Sequence, residues 1–442
     1  MRLRRGIAIS LAACVWAAAL AGCSDGPSLP RLTDLNPFAE KQAPLPGKRI
    51  PVQLAESKVG VETGSVDQQV ALPAPRANDA WSQPGGGANN APGHLALGAA
   101  VRTAWTADAG TGSTSYGRLT ASPIVAEGKV FTLDTEGRVT AFTSSGSSAW
   151  RTSLTPAGEK AYKGFGGGLS ADGGRIFAAS GFGWVVALDA GNGKKVWEKN
   201  LGSPIRASPT TANGKVVVVT SDGVVYALSA VDGQEVWNHR GLPERASILS
   251  NASPAIEGDV VVVPYPSGEV VALRTSDGQP AWTDSLARTR TASSLSSMSD
   301  AARPVIDGGT VYAVGHAGRM VATAARSGER LWSLNVPGIQ APYVAGDYVF
   351  VVDTGAQLLA INRRTGKVAW STTLASATWS GPVLAGGKLW LTSNKGQLVG
   401  VNASTGKVEG QQDLGAPIYI APVVAGGRMY VMTDKARLIA LN

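Results

Sequence analysis

Eight copies of one pattern of about forty residues fill this chain from residue 116 to the C-terminus. Two clear copies, residues 208–237 and 341–370, each begin with a small residue and proline, continue with short β-branched runs, and end with tryptophan. The runs are too short and too rich in valine for helices, and glycine and aspartate bound them, which favours strands. A repeat of this length with several strands predicts a blade of a β-propeller.

A tryptophan ends most copies, and a glycine stands four residues before it. The tryptophans are Trp150, Trp197, Trp237, Trp282, Trp332 and Trp370, and Gly410 stands in the seventh place. A glycine in a tight hairpin takes positive φ without a Cβ clash. We therefore interpret the glycine as a turn residue and the tryptophan as the residue that docks one blade on the next.

The eighth copy stops before its final turn and tryptophan. Residues 101–105 resemble the missing outer strand, and Trp105 lies one period before Trp150. Pairing these two segments would protect two sheet edges. We predict an all-β fold for residues 99–442, an eight-bladed β-propeller of four-stranded antiparallel blades that an N-terminal strand closes by completing the last blade. Seven blades with one additional strand is the alternative.

The N-terminus predicts export and lipidation. Arginines at positions 2, 4 and 5 precede an apolar stretch, residues 7–20, that is short for a transmembrane helix. The sequence Leu-Ala-Gly-Cys at 20–23 resembles a bacterial lipobox, which implies a signal peptide over residues 1–22 and a lipid on Cys23. Ser24 resembles the residue that sorts such lipoproteins to the outer membrane. The alternative is an ordinary signal peptide with an incidental cysteine.

Residues 23–98 follow as the lipidated cysteine and a predicted flexible linker, because proline, glycine, alanine, asparagine and glutamine are abundant there. Residues 48–54 and the neighbourhood of Trp81 interrupt this composition. We expect these two islands either to dock on the propeller or a partner, or to be apolar spots in a tether.

Charge and motifs exclude several functions. The net charge is +8, and removal of the signal peptide with its three arginines leaves +5 without a Lys/Arg run, so no nucleic-acid partner is expected. The histidines His94, His239 and His316 lack zinc spacing. The glycine-rich residues 164–168 precede no helix, so they indicate the start of blade two rather than a phosphate site. Gly-x-Ser-x-Gly is absent as well.

Copies such as residues 187–197 resemble the motif of pyrroloquinoline-quinone (PQQ) dehydrogenase propellers. Those enzymes also need a central metal-binding cluster and a catalytic carboxylate, and many have an adjacent cysteine pair, which this chain lacks. We therefore predict no catalytic, cofactor-binding or metal-binding residues, and no cofactor.

The lipobox, the tether and the eight-copy propeller together resemble the BamB family of the outer-membrane β-barrel assembly machinery. The resemblance implies a non-catalytic lipoprotein, monomeric outside the complex, at the periplasmic face of the outer membrane. It implies as partners the POTRA domains of BamA, other subunits of the machinery and nascent outer-membrane proteins.

The family's BamA-contacting loops precede the proline of two successive copies. Ser299 and Asp300 match one of these loops, although Ala302 replaces its second aspartate. Ile248 and Leu249 match the apolar residues of the other, which lacks the family's arginine here. These four residues are the predicted partner-binding set, and they lie in long connections between blades, residues 238–253 and 283–303. A quinoprotein, a small-ligand binder and a scaffold of another envelope complex are the alternatives.

Overall fold

The computed structural model describes residues 69–98, 101–241, 252–286, 301–316 and 318–442, which all belong to one compact unit. Within them the chain forms eight antiparallel sheets of four strands each. The prediction of an eight-bladed β-propeller is confirmed, and the seven-bladed alternative is wrong. In each blade the first strand is the largely buried one nearest the centre, and in six blades it has only three residues, whereas the fourth strand is the outermost one.

The first four blades follow one another along the chain. Blade 1 contains β2 (Ile124–Ala126), β3 (Lys129–Leu133), β4 (Arg138–Phe142) and β5 (Ser148–Ser153). Blade 2 contains β6 (Gly167–Asp172), β7 (Arg175–Ser180), β8 (Trp184–Asp189) and β9 (Lys195–Asn200). Blade 3 contains β10 (Thr210–Ala212), β11 (Lys215–Val219), β12 (Val224–Ser229) and β13 (Glu235–Arg240). Blade 4 contains β14 (Ala255–Glu257), β15 (Val260–Pro264), β16 (Glu269–Arg274) and β17 (Pro280–Ser285).

The remaining blades complete the ring. Blade 5 contains β18 (Val305–Asp307), β19 (Thr310–Val314), β20 (Met320–Ala324) and β21 (Arg330–Leu334). Blade 6 contains β22 (Tyr343–Ala345), β23 (Tyr348–Val352), β24 (Gln357–Asn362) and β25 (Val368–Thr373). Blade 7 contains β26 (Trp379–Ala385), β27 (Lys388–Ser393), β28 (Gln397–Asn402) and β29 (Val408–Asp413). Blade 8 contains β30 (Val423–Ala425), β31 (Arg428–Met432), β32 (Arg437–Leu441) and, from the other end of the sequence, β1 (Thr103–Asp108).

The strand β1 closes the ring as predicted. It pairs antiparallel with β32, and Trp105 stands opposite Ala440. Beyond the strands, Arg102 and Asn442 exchange two backbone hydrogen bonds of 2.9 Å. The two chain ends therefore form one blade together, and β1, as its fourth strand, covers the outer edge of β32.

A row of three residues crosses most blades at the level of the tryptophan. In blade 1, Phe131 on the second strand and Trp150 on the fourth flank Ala141, and their rings approach to 5.7 Å between centroids. The small central alanine allows this contact. A β-bulge at the residue before each tryptophan shifts the register of the outer strand pair, as in blade 3 next to Trp237. Such a bulge twists the strand and redirects the side chain that follows.

Each of the seven tryptophans of the outer strands reaches the neighbouring blade. The indole Nε1 of Trp197 donates a hydrogen bond to the carbonyl oxygen of Ala230 at 3.1 Å. Equivalent bonds of 2.8–3.1 Å are donated by Trp105, Trp150, Trp237, Trp282, Trp332 and Trp370. The same indole covers Gly233, which has a φ of +74° and where a Cβ would stand 2.6 Å from Trp197 Cε3. The glycine thus provides both the turn and the space for the ring.

Blade 7 departs from this pattern for a reason that the ring explains. Gly410 lies on its outer strand opposite Gly400, and Trp390 occupies the second strand, with its indole bonded to Ala385 of the same blade at 3.1 Å. The blade that would receive an indole from blade 7 is blade 8. Its two outer strands come from opposite ends of the sequence, so no glycine hairpin joins them there.

Residues 69–98, which we call the channel loop, run along the inner strands of the ring. The backbone of Trp81 exchanges two hydrogen bonds of 2.8 Å with Val125 of blade 1. The loop bonds to one residue of every inner strand: Val125, Ala171, Thr211, Ile256, Ile306, Tyr343, Leu384 and Val424. An inner strand has a neighbour in its own blade on one edge only, so the loop satisfies polar groups that would otherwise remain unpaired on the other edge.

The channel loop is itself well buried. Its most buried side chains, each at most 6% exposed, are Val70, Trp81, Gln83, Asn90, His94 and Leu95. His94 is held on both sides of its ring, because the Gly387 N–H donates to Nε2 at 2.9 Å and Nδ1 donates to the Pro73 carbonyl at 2.7 Å. These bonds join the loop to blade 7 and close it on itself.

The assignment of residues 69–98 to a flexible linker is therefore corrected. The island around Trp81 docks on the propeller, and its flanks follow it. Composition suggested a tether because few apolar residues are present, but the assembled ring holds the segment by hydrogen bonds to all eight inner strands and buries Val70, Trp81 and Leu95. Residues 48–54, the other island, lie outside the described residues.

We expect Gly233→Ala to lower the free energy of unfolding by about 2–4 kcal/mol, since it combines an unfavourable positive φ with a clash against Trp197. Gly214→Ala in the same blade is the matched control. Gly214 has a φ of +70° and nothing within 4 Å of a built Cβ, so about 1 kcal/mol is expected there. Urea unfolding measures the free energy of unfolding of both variants. An equal decrease for Gly233→Ala and Gly214→Ala would mean that the indole contact does not stabilise the blade pair.

The Tyr343 hydroxyl donates to the Gly93 carbonyl of the channel loop at 2.6 Å, and burial raises the pKa of this phenol. Tyrosine in the unfolded chain has a pKa of about 10, so the raised pKa of the folded state contributes its full stability below about pH 10. This contribution to the free energy of unfolding is lost as the pH rises above that value. We expect Tyr343→Phe to cost about 1 kcal/mol at neutral pH. The difference in unfolding free energy between Tyr343→Phe and the wild type should shrink above about pH 10, the usual pKa of tyrosine. Unfolding free energies measured across this range, with exposed Tyr116→Phe as control, test the expectation; a constant difference would contradict it.

Candidate functional site

The propeller has two different faces because neighbouring strands run in opposite directions. The connectors that join one blade to the next lie on one face, called here the connector face, with the turns between second and third strands. The other hairpin turns lie on the opposite, turn face. The channel loop sits toward the turn face, since it bonds to Gly386 and Gly426 in turns that follow first strands.

The predicted partner-binding residues Ile248, Leu249, Ser299 and Asp300 lie outside the described residues, as does Cys23. The described chain stops at Gly241 and resumes at Ala252 before blade 4, and it stops at Leu286 and resumes at Ala301 before blade 5. Ala252 and Ala301 line one central cavity. The two connectors that carry the predicted residues therefore end side by side on the connector face.

A third long connector, residues 152–169, is described and carries aromatic residues that sequence reasoning missed. It contains the 3-10 helix Ala161–Gly164, and Tyr162 there stacks on Tyr116 with 4.7 Å between ring centroids. Tyr116 is 65% exposed. Phe165 lies beneath the Arg206 guanidinium at 4.1 Å and accepts a hydrogen bond from it through its carbonyl. The two tyrosines are far apart in sequence and show no shared pattern, so only the fold brings them together.

The central cavity opens among the connectors and has a volume of about 300 Å³. Its walls come from connectors of blades 1 and 4 to 8, and the channel loop contributes Trp81, Pro84 and Asn90. The Asn90 amide donates to the Pro304 carbonyl at 2.9 Å. The channel is therefore accessible from the connector face, while the channel loop occupies its other end.

The charged residues of the cavity differ in how they are partnered. Arg118 pairs with Asp434 at 3.6 Å and lies over the Tyr419 ring. Asp434 also accepts a short hydrogen bond from the Ser113 hydroxyl. Arg303, in contrast, has a buried Nε without a hydrogen-bond partner, and burial lowers its pKa to about 10. This arrangement is suited to binding rather than to moving protons.

The described part of the chain lacks two features. No helix there is long and apolar enough to cross a membrane. Nor do three or more His, Cys, Asp or Glu side chains come together there in a way that could hold a metal ion.

The chain has several relatives of known name. The outer membrane protein assembly factor BamB of Shewanella oneidensis is 27% identical over 289 residues, which is 63% of this chain and 72% of that protein. BamB of Bordetella pertussis is 25% identical over 62% of this chain and 69% of its own length. The Moranella endobia protein of the same name is 24% identical, and the match spans 46% of this chain and about half (53%) of that protein.

Solved structures share the fold. BamB from Moraxella catarrhalis superimposes with a TM-score of 0.67 at 19% identity, over 78% of this chain and 100% of that one. The quinohemoprotein alcohol dehydrogenase of Comamonas testosteroni also gives 0.67, at 14% identity, over 82% and 80%. At these identities the likeness establishes the propeller fold and leaves the function to other evidence.

The family assignment rests on sequence. The sequence model of the family described as outer membrane protein assembly factor BamB matches residues 135–372 and 360–442, well over half of the chain. The matched residues include blades 2 to 7, with the docking tryptophans of blades 2 to 6, and the three C-terminal strands of blade 8. This chain belongs to the BamB family of outer-membrane protein assembly factors.

Proposed function

We propose that this protein is a non-catalytic scaffold lipoprotein of the β-barrel assembly machinery. Acylated Cys23 anchors it at the periplasmic face of the outer membrane, and its connector face binds the POTRA domains of BamA. In this position it assists the assembly and insertion of outer-membrane proteins alongside the other subunits. The observation that carries the proposal is the pair of long connectors that end side by side at Ala252 and Ala301.

The four predicted contact residues divide the interface between them. Ile248 and Leu249 supply the apolar centre, where burial gives most of the binding free energy. Ser299 and Asp300 set the orientation against basic or polar groups of BamA. Neighbouring connectors suit such a division, because β14 of blade 4 lies against β18 of blade 5. One partner domain can therefore contact both connectors at once.

The lipid anchor makes a modest interface sufficient. A tethered protein meets its membrane-bound partner at a high effective concentration, so binding behaves as an intramolecular step. We expect acylation of Cys23 and the connector contacts to act together, and the long stretch before residue 69 leaves reach between them.

A periplasmic PQQ-dependent dehydrogenase or a small-ligand-binding propeller is the second candidate, favoured by the fold shared with the quinohemoprotein alcohol dehydrogenase. The position of the channel loop argues against a PQQ-dependent dehydrogenase, since Trp81 and Gln83 occupy the end of the channel next to the inner strands of blades 1 and 3. Incubation with PQQ and calcium should give no bound quinone absorbance and no alcohol- or sugar-dependent dye reduction. Either signal would favour the enzyme.

The amount of BamA that co-purifies from membranes should be at least tenfold lower for the combined variant Asp300→Lys with Leu249→Ala than for the wild type. The variant removes apolar contact area and reverses the orienting charge. Full-length protein is used, and thermal unfolding checks that the propeller is intact.

The matched control is Asp232→Lys with Val231→Ala, the same two kinds of change on the turn face, where Val231 is 70% exposed. The control should recover BamA at the wild-type level. If the Asp300→Lys, Leu249→Ala variant recovered BamA at the wild-type level, the assignment of Leu249 and Asp300 as BamA contacts would be wrong. Recovery of a different envelope complex in place of BamA by the wild type would favour a scaffold of that complex.

A further inference from the structure

The central cavity on the connector face is lined by an arginine, Arg303, for which the described residues provide no counter-charge. Arg303 follows the second long connector and lines the cavity just before β18. Its Nε is buried and has no hydrogen-bond partner, the residue as a whole is half-buried, and no carboxylate among the described residues pairs with it. Although burial lowers its pKa to about 10, the guanidinium is still protonated at neutral pH. A buried guanidinium nitrogen without a hydrogen-bond partner is unfavourable, so an anion that reaches it gains free energy by pairing.

The other charges in the cavity do not supply that anion. Asp434 is the carboxylate of the lining, and Arg118 at 3.6 Å together with the Ser113 hydroxyl already satisfies it. Arg118 is itself at the solvent edge, with a side chain 55% exposed. The described lining thus has one excess positive charge, and Arg303, the less exposed of the two arginines, carries it.

The remaining walls are mostly apolar. They include the side chains of Trp81, Leu119, Pro342, Tyr343, Pro382, Val383 and Ile420. A volume of about 300 Å³ is at the lower end of the range of small-molecule sites. Apolar walls of this size suit one ring or a short aliphatic chain, and they do not suit a strongly hydrated ion such as phosphate.

We propose that this cavity binds a carboxylate carried on a small apolar body, with the Arg303 guanidinium as the partner of the carboxylate. The planar fork of arginine matches the two oxygens of a carboxylate and permits a bidentate pair. The apolar body then lies between the connectors and Trp81 of the channel loop. Free organic acids and the carboxyl terminus of a peptide share this chemistry.

The test is calorimetric titration of the full mature chain in detergent with benzoate and, separately, with benzamide. Benzamide has the same shape without the charge. Benzoate should bind at least tenfold more tightly than benzamide and than inorganic phosphate. A tetrapeptide with a free C-terminus, compared with its amidated form, then tells whether a polypeptide carboxylate enters as well. Binding of benzoate alone assigns the site to small acids, and binding of both assigns it to either source.

Arg303→Gln should reduce benzoate affinity at least tenfold and leave benzamide unaffected, and Arg303→Lys should retain part of the binding. Arg240→Gln is the matched control, because Arg240 is an exposed, Asp222-paired arginine outside the cavity lining. Three results overturn the proposal: no benzoate binding to the wild type, equal binding of benzoate with benzamide or phosphate, or full affinity in Arg303→Gln. The first two do not depend on the folding of any variant.

Discussion

The contact between an indole and the glycine hairpin of the next blade is the interaction on which the ring depends. It combines a hydrogen bond from Nε1 to a backbone carbonyl with a ring face that covers a residue lacking Cβ. Each half explains the other: the glycine takes positive φ for the turn, and its missing side chain leaves the space that the indole fills. Because the contact recurs at seven blade junctions, the whole propeller is assembled from nearest-neighbour docking. The junction without it, between blades 7 and 8, adjoins the blade that the two chain ends form together.

The channel loop adds a second layer of closure on the inside. Every inner strand offers one free edge to the channel, and the loop bonds to each of the eight. This arrangement ties the blades together at the axis, whereas the indoles tie them together further out. It also leaves the channel accessible from the connector face, where the two long connectors and the Arg303 cavity lie. The proposed partner surface and the proposed carboxylate site are therefore neighbours on one face.

The fold was largely predictable, because its determinants are local and repeated. Glycine and tryptophan stand four residues apart in six of the eight copies, and Trp105 one period before Trp150 identified the strand that closes the ring. The cavity was not predictable: Arg303 and Asp434 belong to different blades, and nothing in their local sequence marks one as paired and the other as unpaired. The contact between Tyr116 and Tyr162 was not predictable either, because the two residues are far apart in sequence. The predicted contacts Ile248, Leu249, Ser299 and Asp300 remain predictions.

The sequence by itself therefore predicted the place of ring closure and the residues that dock the blades, and it favoured eight blades over seven, since each follows from the repeated pattern. Only the tertiary structure decided the role of residues 69–98. Their hydrogen-bond partners are strand edges that come together around a common axis only when the ring has closed, so composition alone indicated a tether. The same physical reason applies to Arg303, because the described cavity walls that surround it come from several blades and meet only in the closed ring.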